Sequence, residues 1–267
     1  MIPDVGALLA IASGGIVGLV LGLVGGGGSI LAVPLLVYVV GVASPHVAIG
    51  TGAIAVSVSA LANLGSHARL GTVKWPCALV FASAGVAGAL AGSTIAKAVD
   101  GQQLLLLFGL LMIVVGIIMF RRRAAVGDPA VRLTRVTAEA MLPSLVGIGF
   151  VVGIFSGFFG IGGGFLIVPG LMWATGMPLR SAIGTSLVAV TAFGAATAAN
   201  YAVSGLVDWR LAVLFVIGGL GGGFLGVALG RVLAERRSAL GSVFATVVVA
   251  VGFYIVLRGV AALAPFG

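Results

Sequence analysis

The sequence predicts an all-α polytopic membrane protein made of two inverted repeats of about five segments each, with Gly-rich broken or re-entrant helices. Three observations predict it. Of 267 residues, 61% are apolar and only 7% charged, where a soluble domain carries about a quarter charged. One register of residues is written twice along the chain. Each copy then contains a glycine cluster closed by a proline inside an apolar run. Such a cluster weakens a helix, and a bilayer tolerates broken backbone only where protein buries it or a polar cavity hydrates it. A transmembrane barrel needs alternating segments of about ten residues, and that pattern is absent.

The apolar segments fall at 5–24, 28–42, 47–66, 75–98 and 102–120, then at 142–160, 163–176, 181–204, 210–233 and 240–263. Met1-Ile2-Pro3-Asp4 has no basic n-region, so the first run reads as a retained span rather than a signal. Residues 1–120 form an N-terminal membrane repeat and 142–267 a C-terminal one. The polar stretch 121–141 between them, from Arg121-Arg122-Arg123 to Glu139, is a linker loop, too short for a core of its own. The second segment of each half is too short to span comfortably, so eight full spans are as acceptable as ten.

The duplication is read residue by residue. Gly14, Gly18 and Gly22 recur as Gly149, Gly153 and Gly157. After a slip of one residue, Ala48-Ile49-Gly50-Thr51 recurs as Ala182-Ile183-Gly184-Thr185. Gly71, Val73 and Trp75 then match Gly205, Val207 and Trp209, and Gly88 and Gly92 match Gly222 and Gly226. An internal duplication with an odd number of crossings per half gives inverted repeats. The evenly spaced glycines read as close helix packing.

Charge gives the orientation. With the central Arg-rich loop in the cytoplasm, eleven basic residues fall on that side and three (Lys97, Arg210 and Arg258) on the other, a positive-inside bias. Both termini then face outward. The net charge of +8 reads as this bias and not as nucleic-acid binding.

Gly25, Gly26, Gly27, Gly28 and Ser29, and Gly160, Gly162, Gly163 and Gly164, are the candidate ligand-facing breaks. A helix restarting inside the membrane aims amide N–H groups and a positive dipole end into the cavity, which suits an oxyanion. Thr51, Thr185 and Ser186 open the third segments, and their hydroxyls either cap amides or face the ligand. Asn63 and Asn200 lie deeper in those segments, Asn63 matching Thr197 in the register. Each serves as interhelical glue or as a ligand contact.

Absences narrow the chemistry. All six acidic residues lie at or near segment ends, so the carboxylate relay of many coupled carriers is not expected. No nucleotide-binding loop and no nucleophile–base constellation appears. One cysteine, Cys77, and two histidines build no metal site. The expectation is no enzyme, no cofactor and no metal.

The paired glycine breaks ending in Val-Pro (Gly25 to Pro34 and Gly160 to Pro169), each followed by Ala-Ile-Gly-Thr, resemble the sulfite exporter TauE/SafE family over essentially the whole chain. The resemblance implies a prokaryotic inner-membrane permease for sulfite, sulfoacetate or other organosulfonates, usually outward. It carries over Gly25, Gly27, Gly28, Pro34, Gly50 and Thr51 with Gly160, Gly162, Gly163, Gly164, Pro169, Gly184, Thr185 and Ser186. Gly26 and Ser29 stand where the second copy has Ile161 and Gly164, so the two half-sites contribute unequally. The expected partners are a small anionic substrate and the lipid bilayer, with a homodimer compatible. The expected mechanism is alternating access, one repeat rocking against the other. The rivals are an anion channel lined by the breaks and a membrane enzyme or assembly subunit.

Overall fold

A chain inside an apolar slab must satisfy its own amides, and a helix does so within one segment. The computed structural model describes residues 5–24, 26–121, 135–160, 164–232 and 237–263. In chain order they form α1 (Val5–Val24), the irregular α2 (residues 26–39), α3 (Pro45–Arg69), α4 (Trp75–Lys97), α5 (Gly101–Arg121), α6 (Arg135–Phe159), α7 (Gly164–Thr175), α8 (Leu179–Val203), α9 (Trp209–Val232) and α10 (Arg237–Leu263). There is no strand among the described residues. Among the described residues eight helices are long and apolar enough to cross a membrane, and α2 and α7 are the short ones. The chain is a multi-pass all-α membrane protein.

Local signals set the ends. Ser44 accepts the Val47 N–H at 3.5 Å ahead of Pro45, which opens α3. The α3–α4 and α8–α9 turns close at Gly71 (φ +64) and Gly205 (φ +69), matching places that require a left-handed residue. Only α6 departs clearly from expectation. It begins at Arg135, inside the stretch read as linker, because Val-Thr-Ala-Glu-Ala-Met propagates a helix already nucleated in the slab.

Each of the eight long helices finds its main partner in the other half, whereas α2 and α7 pack chiefly on α1 and α6 of their own halves. Gly14, Gly18 and Gly22 of α1 lie against Phe215, Gly219 and Gly223 of α9. Gly149, Gly153 and Gly157 of α6 lie against Phe81, Gly85 and Ala89 of α4. A side chain at Gly18 or Gly153 would overlap the facing carbonyl, so glycine here lets two backbones touch. Both pairs run parallel. By contrast, α3 and α8 run antiparallel, with Gly50 against Tyr201 and Leu206 and Gly184 against Thr72. So do α5 and α10, with Gly109 against Gly252 and Gly259 against Leu106. Exchanging the halves maps every one of these pairings onto itself or its counterpart.

The packing also fixes depth. Gly18 touches Gly219, which touches Ser59; Gly85 touches both Gly153 and Phe193. These residues lie at the level where α3 and α8 cross, where Gly194 meets Ser57. From there α1 runs only six residues to Val24 and α6 only six to Phe159, about 9 Å at 1.5 Å per residue. The neighbouring α9 and α4 continue for about another 9–10 Å. Both α1 and α6 therefore stop well short of the ends of the helices they pack against. Because α1, α3 and α9 point the same way, α2 must carry the chain back within a single short segment.

Gly153→Leu or Gly18→Leu is expected to cost about 3 kcal/mol or more, read as a lowered Tm in detergent. Gly147→Leu, where a side chain meets open space, is expected to leave the Tm unchanged.

Candidate functional site

The first break is explicit. After Val24 the chain enters a 3-10 turn over Gly26–Leu31, makes one α turn over Ala32–Pro34 and finishes as a π segment over Leu35–Val39. Gly28 lies on the backbone of Val20 and Leu21, so the chain doubles back along the helix it has just left. Ser29 and Ile30 are fully buried. In the second half, Gly160 turns at φ +67 and packs on Ile49 of α3, and α7 starts at the buried Gly164. The 3-10 part of α2 touches α7. The two returning segments therefore meet in the interior. Gly25, Gly162 and Gly163 lie outside the described residues.

The threonines act as ties between the halves. Thr51 Oγ1 accepts the Asp208 N–H at 3.0 Å, and Thr185 Oγ1 accepts the Lys74 N–H at 3.0 Å. Each caps the start of the fourth helix of the opposite half, and the two lie at opposite ends of the α3–α8 pair. Ser186 Oγ donates to Ile183 O at 2.8 Å, within its own helix. Asn200 is also engaged. Its amide donates to Ser93 Oγ (2.6 Å) and Thr94 Oγ1 (3.0 Å), and its Oδ1 accepts from Lys97 Nζ (2.8 Å).

Asn63 differs. It is 4% exposed and its Nδ2 has no hydrogen-bond partner, although a buried amide ordinarily finds one. It lines a narrow crevice between α3 and α9, too tight to hold a water molecule, with Ser59, Gly219, Gly223 and Phe224. The corresponding α8–α4 seam is filled, because Phe193 stands where the first half has Ser59. Phe193 stacks on Phe81 with centroids 6.2 Å apart and presses on Gly85. The two halves are thus built alike and finished differently.

Two buried hydroxyls that the sequence did not single out are orphaned in the same way, Ser156 Oγ on α6 and Thr197 Oγ1 on α8. Thr197 holds the position of Asn63 in the register, which could have found it. Ser156 stands where the first half has Leu21, beside the glycine stripe. The fold does not bring all the candidates together. Thr51 and Asn63 each lie six residues from the middle of α3, on opposite sides of it, and Thr185 and Thr197 likewise on α8. Thr51 is two residues from the Ile49 on which the second break packs, and Asn200 sits nearer the end of α8.

The family model described as Sulfite exporter TauE/SafE matches residues 10–255. The chain belongs to the TauE/SafE sulfite exporter family. A protein of Xylella fastidiosa named probable membrane transporter protein is 52% identical over 96% of this chain and 97% of its own length. The probable membrane transporter protein YunE of Bacillus subtilis is 27% identical over 95% of this chain and 98% of its own. No solved structure matches. Family and relatives alike indicate a membrane transporter rather than an enzyme. For a TauE/SafE protein the paired breaks are the part of the architecture that ordinary helix packing does not explain.

Thr51→Val and Thr185→Val, each leaving a backbone N–H without its acceptor, are expected to cost about 1–3 kcal/mol apiece. Thr51→Ser is expected to hold the wild-type Tm. Thermal melting in one detergent distinguishes the three.

Proposed function

We propose that this TauE/SafE protein is a secondary transporter that exports small sulfur-containing oxyanions, such as sulfite, sulfoacetate or other organosulfonates. The halves act as inverted-topology repeats, and the site lies at mid-depth between the breaks. The observation that carries the reading is the pair of helix ends, α1 and α6, stopping about 9 Å beyond the crossing level with α2 and α7 in contact between them. Amides and hydroxyls released there suit an acceptor-rich anion, and Asn63, Ser156 and Thr197 add side-chain groups without partners. The six acidic residues of the chain all lie near segment ends, and no carboxylate is buried among the described residues. The inside-negative potential favours anion exit by about 2.3 kcal/mol per charge per 100 mV, which drives export without a proton site.

The interleaved packing indicates the moving bodies. Rocking one repeat against the other would separate every glycine seam. Rocking the α1–α9 pair against the α4–α6 pair about α3 and α8 leaves those seams closed and alternately opens the α3–α9 and α4–α8 sides. The membrane is the inner membrane, with the Arg-rich linker cytoplasmic and both termini outside.

Thermal shift against sulfite, sulfate, thiosulfate, sulfoacetate and taurine, followed by flux in proteoliposomes, tests the reading. A saturable flux of at least one sulfur oxyanion is expected, reduced about tenfold in Asn63→Leu with the Tm retained. Ion currents typical of an open pore, or no response to any of the five compounds, would overturn it.

A further inference from the structure

A second polar cluster lies away from the breaks, where α4 and α8 end beside the start of α3. Lys97 is half-buried there, and its ammonium donates three bonds, to Asn200 O (3.2 Å), Asn200 Oδ1 (2.8 Å) and Ser204 Oγ (2.8 Å). All three acceptors are neutral, and among the described residues no carboxylate pairs with it. The nearby Asp100 is occupied at the start of α5, its Oδ1 accepting the Gln102 N–H at 2.9 Å and the Gln103 N–H at 3.4 Å. A half-buried cation is ordinarily paired. Here the ammonium is held by neutral oxygens and the Tyr201 ring face, with the Asp100 carboxylate nearby but bonded to backbone.

Beside it stand two buried polar atoms with no partner, Tyr201 Oη and His46 Nδ1. Tyr201 is 0% exposed. Lys97 Nζ lies 6.0 Å from its ring centroid, and the His46 ring lies 6.5 Å from it. Tyr201 also packs on Gly50, and the adjacent Ile49 packs on Gly160 at the second break. The cluster is therefore one helical turn of α3 away from that break. The duplication repeats the chemistry at the other end of the bundle. At a shift of 134, His46, Tyr201 and Lys97 correspond to Arg180, His67 and Arg231. All six are cations or hydrogen-bonding rings.

The geometry points to an anion-capture site at this end of the bundle, formed by Lys97 and Tyr201 with His46 beside them, where a small oxyanion is held as it leaves the break at Gly160 on its way out. This rests on the anion-transport reading and goes beyond it by assigning a last stop that is separate from the central site. Lysine suits the task because its four-carbon stem lets the ammonium leave three neutral oxygens for a charged one. The bonds given up are charge-assisted on the lysine side only, whereas the bond gained carries charge on both partners and so adds ion-pair attraction. The Tyr201 hydroxyl, without an acceptor inside the protein, donates to the same guest.

Sulfite and sulfoacetate flux in proteoliposomes of defined orientation tests the site. Lys97→Gln is expected to raise KM about tenfold for anion presented at the Lys97 face, to leave Vmax within about twofold, and to flatten the dependence of KM on ionic strength. Lys97→Arg, which keeps the charge, is expected to restore KM. Tyr201→Phe, which keeps the ring but removes Oη, is expected to raise KM several-fold without loss of Tm. A wild-type KM in both Lys97→Gln and Tyr201→Phe, alongside normal wild-type transport, overturns the capture site and leaves the transport reading intact. A lowered Tm and Vmax in Lys97→Gln at unchanged KM marks a structural tie only and likewise overturns it. A wild-type protein that moves neither anion overturns both.

Discussion

Backbone-to-backbone contact along the glycine stripes is the constraint on which the rest of this structure depends. A polypeptide broken inside an apolar slab leaves amides unsatisfied, each costing several kcal/mol unless protein encloses them. Enclosure requires neighbours that approach more closely than ordinary side chains allow. Gly18 on Gly219 and Gly153 on Gly85 provide that approach. With both seams closed, α9 and α4 extend past the ends of α1 and α6 and wall off the depth at which those helices stop. Without the stripes the breaks at Gly26 and Gly160 would face lipid.

Much of this was legible in the sequence, because duplication and hydropathy are properties of spacing. The starts and ends of α1, α4, α7, α8 and α9 fall within about two residues of the apolar runs, since turn residues such as Gly71 and Gly205 punctuate them. The start of α6 was not legible, because Arg135 and Glu139 carry a helix beyond the apolar stretch that hydropathy detects. The same limit applied to the polar candidates. Composition placed Asn63 and Asn200 in one class, but one is an orphaned amide and the other the hub of a saturated network. That difference arises from what the opposite helix presents, Gly223 to one and Ser93 and Thr94 to the other.

The departure from symmetry is as informative as the symmetry. Ser59 and Phe193 hold one register position, and that exchange leaves the α3–α9 seam creviced and fills the α4–α8 seam with a ring stacked on Phe81. A transporter with identical half-sites would present the same energies to both sides of the membrane. Changing a few side chains at matched positions gives the two seams different packing while the helix scaffold stays common to both.

The cross-half pairing also has a bearing on biogenesis. The stripe on α1 is completed by α9, and the cap on α9 comes from Thr51 of α3. When the ribosome has delivered only the first five segments, the nascent half has its glycines turned toward lipid and its irregular segment uncovered. Insertion of individual helices can proceed in order, but their consolidation must wait for nearly the last part of the chain. Loss of α9 would accordingly destabilise α1, the earliest helix, and loss of α10 would uncover α5.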